Sequence, residues 1–151
     1  MAAGLGTDAV VHIRTDAHGR MDVRELERMC AEMQADAAHP QGVPLIVCAT
    51  SGTTVLGAFD DVAAIAEVCR KYDLWLHVDA SWGGAAAFLP HDAPERSVLA
   101  GLENAHSITI NPHKLLGVTH QCSFLLVHDL SLIHISEPTR HSAISRMPSS
   151  A

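Results

Sequence analysis

"SITINPHKLLG", residues 107–117, decides how the rest of the chain is read. A strand-like apolar run ends at Asn111 and Pro112, and His113 and Lys114 stand where it stops. Lys114 is one of only two lysines in 151 residues, and Leu115 and Leu116 follow it. An amine in so apolar a frame has two readings. Either its stem lies over the core with the charge in water, or the amine is held inside a site where desolvation and nearby charges set its chemistry.

Working outward, two more apolar runs end in small or polar residues. "VPLIVCAT" (43–50) is too short for a helix, and Pro44 and Gly52 bound it, which predicts a buried strand from Val43 to Ala49. "DLWLHVDA" (73–80) predicts another buried strand, after which Gly83 and Gly84 relax the backbone. Between them "FDDVAAIAEVCRKY" predicts a helix capped by Asp60 or Asp61, with Val62, Ile65, Ala66 and Cys69 inward. Upstream, "AVVHI" (9–13) predicts a short strand and "TDAHGR" a turn. Asp22 and Glu25 then have capping-box spacing ahead of a helical stripe of Leu26, Met29, Cys30 and Met33. Downstream, residues 94–104 predict an irregular or helical crossing, and "CSFLLV" a last strand beyond "NPHK".

This alternation predicts an α/β layer with a largely parallel sheet, whose right-handed crossovers gather the strand ends on one edge. Open α/β sheets bind ligands at such edges. Residues 51–54, 79–82 and 111–114 all fall there.

The composition narrows the class. The formal charge is −7, and residues 1–129 carry 8 Lys/Arg against 16 Asp/Glu, so the basic stripe of a nucleic-acid binder is missing. No stretch reaches the roughly 18 continuous apolar residues of a membrane span, and "MAAGLGTDAV" lacks a charged leader, so a soluble, cytoplasmic protein is expected. Cys30, Cys48, Cys69 and Cys122 are widely spaced within apolar patterns, which predicts buried reduced thiols. His77, Asp79 and His91 lack metal-ligand spacing, so no metal site is expected.

Asp79 closes the strand "LWLHVD", where a carboxylate is costly unless something cationic or hydrogen-bonding meets it. It is either a cap for the residues after it or the holder of a protonated ring nitrogen or a metal. One crossover would bring Lys114 to the same edge. The pair would then offer an amine for a Schiff base and an acid for the nitrogen of one aromatic cofactor. Thr53 and Thr54 in "SGTT" are either an ordinary loop or hydroxyl donors. His113 either donates to an anion or packs structurally, and His77 reads as a satisfied core histidine.

The words "LGTDAV", "ATSGTTVLGAFD", "LWLHVDASWGG", "SITINPHKLLGV" and "QCSFLLV", in this order, make the chain resemble the pyridoxal-phosphate-dependent group II amino acid decarboxylases. The glutamate and cysteine sulfinate decarboxylase branch is the most similar. The resemblance spans about residues 3 to 128. It implies part of a fold-type I, aspartate aminotransferase-like large domain over 1–129, with pyridoxal 5'-phosphate (PLP) as cofactor. The implied activity is decarboxylation of a small acidic amino acid such as glutamate, cysteine sulfinate or aspartate, by a homodimer that binds neither nucleic acid nor membrane. It further implies Lys114 as the Schiff-base lysine, Asp79 as the partner of the pyridine nitrogen, His113 as its phosphate-side neighbour and Thr53 as a threonine close to the cofactor. Ser81 departs from the family's "HVDAAWGG", in which a second alanine packs against the cofactor ring, and brings a hydroxyl there. Family members carry an upstream phosphate-binding loop and a downstream small domain and catalytic loop, so the isolated chain is expected to be inactive.

Two other readings remain at this point: a non-catalytic α/β ligand-binding or interaction fragment, and another fold-type I PLP enzyme such as an aminotransferase. Residues 130–151 break the pattern, being polar and proline-punctuated after a brief apolar start. "SLIHISEPTR" resembles translated sequencing-adaptor read-through, so a disordered or non-native tail is expected there.

Overall fold

The computed structural model describes residues 8–36, 38–39 and 42–129, so the expectation for 130–151 lies outside the described residues. Four strands form one sheet in the order β1 (Ile46–Thr50), β2 (Trp75–Asp79), β3 (Ser107–Ile110), β4 (Phe124–Val127). β1, β2 and β3 run parallel, and β4 returns antiparallel to β3. Val47 stands opposite Leu76 and Ala49 opposite Val78, and Ile108 continues that row.

α1 (Val23–Ala35) and α2 (Val62–Tyr72) cover this row. Ile65, Leu76, Val78 and Ala49 are fully buried there. Each large aliphatic side chain so removed from water contributes about 1.5–3 kcal/mol before entropy is subtracted. Asp61 caps α2 by accepting the Ala64 N–H at 3.0 Å. Asp60, the other predicted cap, instead accepts the Met21 and Thr50 N–H groups, each at 2.7 Å, and ties the entry of α1 to the end of β1. Asp22 caps α1, and its box does not close: Glu25 turns to the Nε of Arg14 at 2.6 Å, while the Asp22 N–H donates to Arg14 O.

Three expectations are corrected. Residues 9–13 form no strand; the segment meets α1 and β1 through side chains, and the nearest ladder contact is the single bridge Thr15–Met21. An alternating pattern cannot make a strand without a neighbouring edge in register. β1 begins three residues later than expected and is buried on one face only, with Ile46 53% exposed. For the same reason Cys48, on that outer face, is an exposed thiol, whereas Cys30 and Cys69 are buried; all four cysteines are free. Residues 83–104 cross back to β3 through 3-10 turns at Gly83–Phe88, Pro94–Leu99 and Leu102–Asn104.

Candidate active site

Side chains alternate across a strand, so Asp79 and His77 lie on the face opposite the buried Val78. Thr50 stands beside Asp79 on β1, and Thr109 beside it on β3. The Asp79 carboxylate is exposed at the end of β2, and its Oδ1 accepts the Ser81 N–H at 2.9 Å. Partial burial pushes the carboxyl up. The Ser81 hydroxyl and N–H, with the positive charge of Lys114, outweigh that and hold Asp79 below its ordinary value.

Lys114 sits in a compact turn after β3. Its N–H donates to Asn111 O at 3.0 Å, and Gly117 N–H donates to Lys114 O at 3.2 Å. Pro112 is buried and pins the turn to the sheet edge. The half-buried amine lies 5.6 Å from the centroid of the Trp82 ring, a cation–π distance. Among the described residues no carboxylate lies within ion-pair distance of it. Trp82, which the sequence placed at this edge within residues 79–82 without giving it a role, is therefore a site residue.

The other predicted residues divide. Ser81, only 9% exposed, stays with Asp79. His113 turns to the chain before β4: its Nδ1 lies 2.6 Å from Cys122 O and 3.1 Å from Cys122 N. One ring nitrogen serves only one of these, as donor to the carbonyl or acceptor from the N–H, and either way the ring is anchored on residue 122. The Thr53 hydroxyl accepts the Ala58 N–H at 2.9 Å and closes its own loop.

Thr53 lines a cavity of about 480 Å³ with Thr50, Asp60, Ile13, Met29 and Cys48; neither Asp79 nor Lys114 lines it. A second cavity of about 510 Å³, between α1 and α2, is not lined by Asp79 or Lys114 either. The glycines do not leave room for a flat ligand either. A Cβ on Gly83 would lie 2.4 Å from both Ser51 O and the Phe59 ring, and one on Gly52, where φ is +88°, would lie 2.7 Å from Gly83 N. Those residues are small because two loop backbones touch, with Gly83 N–H donating to Ser51 O at 3.0 Å.

A carbonyl-bearing cofactor with a basic ring nitrogen fits what remains. Among the described residues the half-buried Lys114 has no acid partner, the carboxylate is held anionic on the neighbouring parallel strand, and two buried polar atoms after β1 and β3, Ser51 Oγ and Asn111 Oδ1, have no hydrogen-bond partner. Natively orphaned buried polar atoms are uncommon and mark where a further group belongs. Asp79 and Lys114 would hold the cofactor, with Ser81 beside the carboxylate. Among the described residues no cluster of histidine, cysteine and acidic side chains is arranged to hold a metal ion.

Such an edge, with an amine and a carboxylate on adjoining parallel strand ends, defines the class of α/β proteins built around PLP. The chain belongs to the pyridoxal-dependent decarboxylase family, whose conserved domain it matches over residues 1–138. It is 48% identical over 128 residues to cysteine sulfinic acid decarboxylase of Homo sapiens, covering 85% of this chain and 24% of that protein. It is 47% identical over 120 residues to glutamate decarboxylase of Drosophila melanogaster, covering 80% and 22% respectively. A crystal structure of Oryza sativa TDC with PLP and tryptamine superposes with a TM-score of 0.80 at 34% identity, over 97% of this chain and 29% of that one. The sheet is therefore part of a fold-type I PLP domain, and PLP is the cofactor its family uses. The chain spans about a quarter of the length of the relatives it matches.

Proposed function

We propose that the full protein is a PLP-dependent carboxy-lyase that removes the α-carboxylate of a small acidic amino acid, with glutamate, cysteine sulfinate and aspartate as the candidate substrates. The observation that carries this reading is the placement of Asp79 at the end of β2 and Lys114 in the turn after the neighbouring parallel β3, near enough for the lysine's charge to lower the carboxyl. The substrate class is supported by the printed activities of the cysteine sulfinic acid and glutamate decarboxylase relatives.

PLP, when bound, supplies the electron sink for the pair released as carbon dioxide departs. Lys114 Nζ would hold the cofactor through its aldehyde and would offer an amine able to take or give a proton beside it. Asp79, already anionic, holds a proton on the ring nitrogen, which deepens the sink. Ser81 N–H fixes that carboxylate's orientation. The Trp82 ring lies under the Lys114 amine in a cation–π contact that favours its position at the edge. His113 joins the site through the 113–122 contact, bracing the turn that carries Lys114 rather than reaching outward. Thr53 shapes the loop after β1.

A homodimer in the cytoplasm, without nucleic-acid or membrane partners, completes the proposal. The acidic balance supports the lack of a nucleic-acid partner, and no helix among the described residues is long and apolar enough to cross a membrane. Borohydride reduction of the PLP-loaded full protein, followed by peptide mapping, is the test. The pyridoxyl label is expected on Lys114 and absent from Lys114→Ala, while carbon dioxide release from the three acidic amino acids identifies the substrate. A label that survives in Lys114→Ala refutes the assignment.

A further inference from the structure

On the face that carries Asp79, four polar side chains connect in sequence. Trp75 and His77 precede Asp79 at two-residue steps on β2, while Ser107 stands opposite His77 and Thr109 opposite Asp79 on β3. Trp75 Nε1–H donates to Ser107 Oγ at 2.9 Å. Ser107 Oγ lies 2.8 Å from His77 Nδ1, and His77 Nε2 lies 3.4 Å from Thr109 Oγ1.

We propose that these four residues form a one-way hydrogen-bond chain that holds His77 as the neutral imidazole protonated on Nε2, making His77 and Thr109 positioning residues for the Asp79 carboxylate.

The direction follows from what each group can do. The indole nitrogen is a donor only, so Ser107 Oγ accepts at that end. Ser107 is 6% exposed and must give its own proton within the protein. If His77 Nδ1 carried a proton, two donors would converge on Ser107 Oγ, and the serine's hydrogen would be left buried and unpaired. With Nδ1 bare, the serine O–H donates to it and every group is used. The ring proton then sits on Nε2 and points to Thr109 Oγ1; at 3.4 Å this is the longest link. Thr109, with a lone pair engaged by His77, is left to turn its O–H away from the ring, toward the strand end where Asp79 stands. An imidazolium would need Ser107 to give up its role as donor, so the same chain keeps His77 uncharged. Thr109 stands opposite Asp79 in the register, which is where the chain would reach that carboxylate. The tautomer rests on the chain's own contacts, and only its purpose rests on the PLP reading.

Imidazole nitrogens in the 15N-labelled full protein, before PLP is loaded, are read by long-range 1H–15N correlation. The His77 pattern is found by its loss in His77→Gln. A pyridine-type Nδ1 and a pyrrole-type Nε2 are expected near neutral pH. Ser107→Ala should shift both toward averaged values, and Ser107→Thr should restore them. A pyrrole-type Nδ1 in the unaltered protein overturns the proposal, as does an unchanged pattern in folded Ser107→Ala. Should that variant not fold, the unaltered spectrum still decides the tautomer.

The positioning role is read separately from PLP affinity in the full protein. His77→Gln, which keeps a donor at the ε position, should bind PLP nearly as well as the unaltered protein. His77→Leu should lose roughly tenfold, the scale on which outer partners of a bound group act. Equal affinity in folded His77→Leu overturns the positioning role. Failure of Lys114 to capture PLP would overturn the cofactor reading and leave the tautomer assignment standing.

Discussion

The two faces of the sheet are built to different rules. On one, Val47, Ala49, Leu76 and Val78 meet α1 and α2, with nothing polar to satisfy and almost no exposure. On the other, Cys48, His77, Asp79, Thr109 and Leu125 share the same strands in the same register, and Leu125 is 65% exposed. Alternation along a strand is the only thing that separates them. The closed face holds the strands in register, and the open face uses that register to set a carboxylate beside a lysine from the next strand. A substitution on the first should therefore act on folding, and one on the second on chemistry.

Asp79→Asn in the full protein gives the largest contrast. It preserves volume and removes the anion that keeps a ring nitrogen protonated, so carbon dioxide release should fall roughly a hundredfold or more, on the scale of losing one preorganised electrostatic group. The melting temperature should barely move, since the side chain is exposed at the strand end. PLP content must be measured alongside, because lost cofactor imitates a chemical defect. Near-normal turnover in a folded, PLP-loaded variant would remove Asp79 from the mechanism.

The next contrast is in stability. Leu76 is fully buried between helices and sheet, so Leu76→Ala should cost about 2–5 kcal/mol through lost transfer energy and a cavity. Leu125→Ala, on the open face, should cost within about 0.5 kcal/mol. Urea titration of both variants measures the difference. Equal costs would mean that the open face is as tightly packed as the closed one.

Sequence periodicity read the closed face well because burial writes itself into residue type: Val62, Ile65, Ala66 and Cys69 point inward from α2 as their spacing predicts. Lys114 and Asp79 were legible as strand-end oddities, and the family resemblance gave them roles. Partner choice was less legible. Whether Asp60 caps a helix or bridges two segments, and whether Gly83 admits a ligand or a neighbouring backbone, depends on contacts across 39 or 31 residues that no local pattern encodes. The same limit hid the His77 network, since Ser107 and Thr109 become its neighbours only when β3 pairs with β2.

Ser81 gives the finest test of the open face, because a single hydroxyl separates it from the alanine that the resembled family carries there. Its backbone N–H bonds Asp79 whatever the side chain, so Ser81→Ala keeps the carboxylate in place and removes only the hydroxyl's pull. The Asp79 midpoint should rise toward the ordinary carboxylate value without reaching it, since the N–H and the charge of Lys114 remain. A carboxyl whose folded midpoint is depressed contributes stability that is fully present above the ordinary range near about pH 3.9, and that is lost as pH falls through the lower folded midpoint. Ser81→Ala should therefore lower stability at neutral pH slightly relative to the acid limit, shrinking the difference between the two, and bring the loss on at slightly higher pH. Carbon-13 detection of the Asp79 carboxyl across an acid titration reads the midpoint directly, and unfolding at matched pH reads its consequence. An unmoved midpoint in the folded variant would make the hydroxyl a bystander and leave the backbone N–H as Ser81's whole contribution to Asp79.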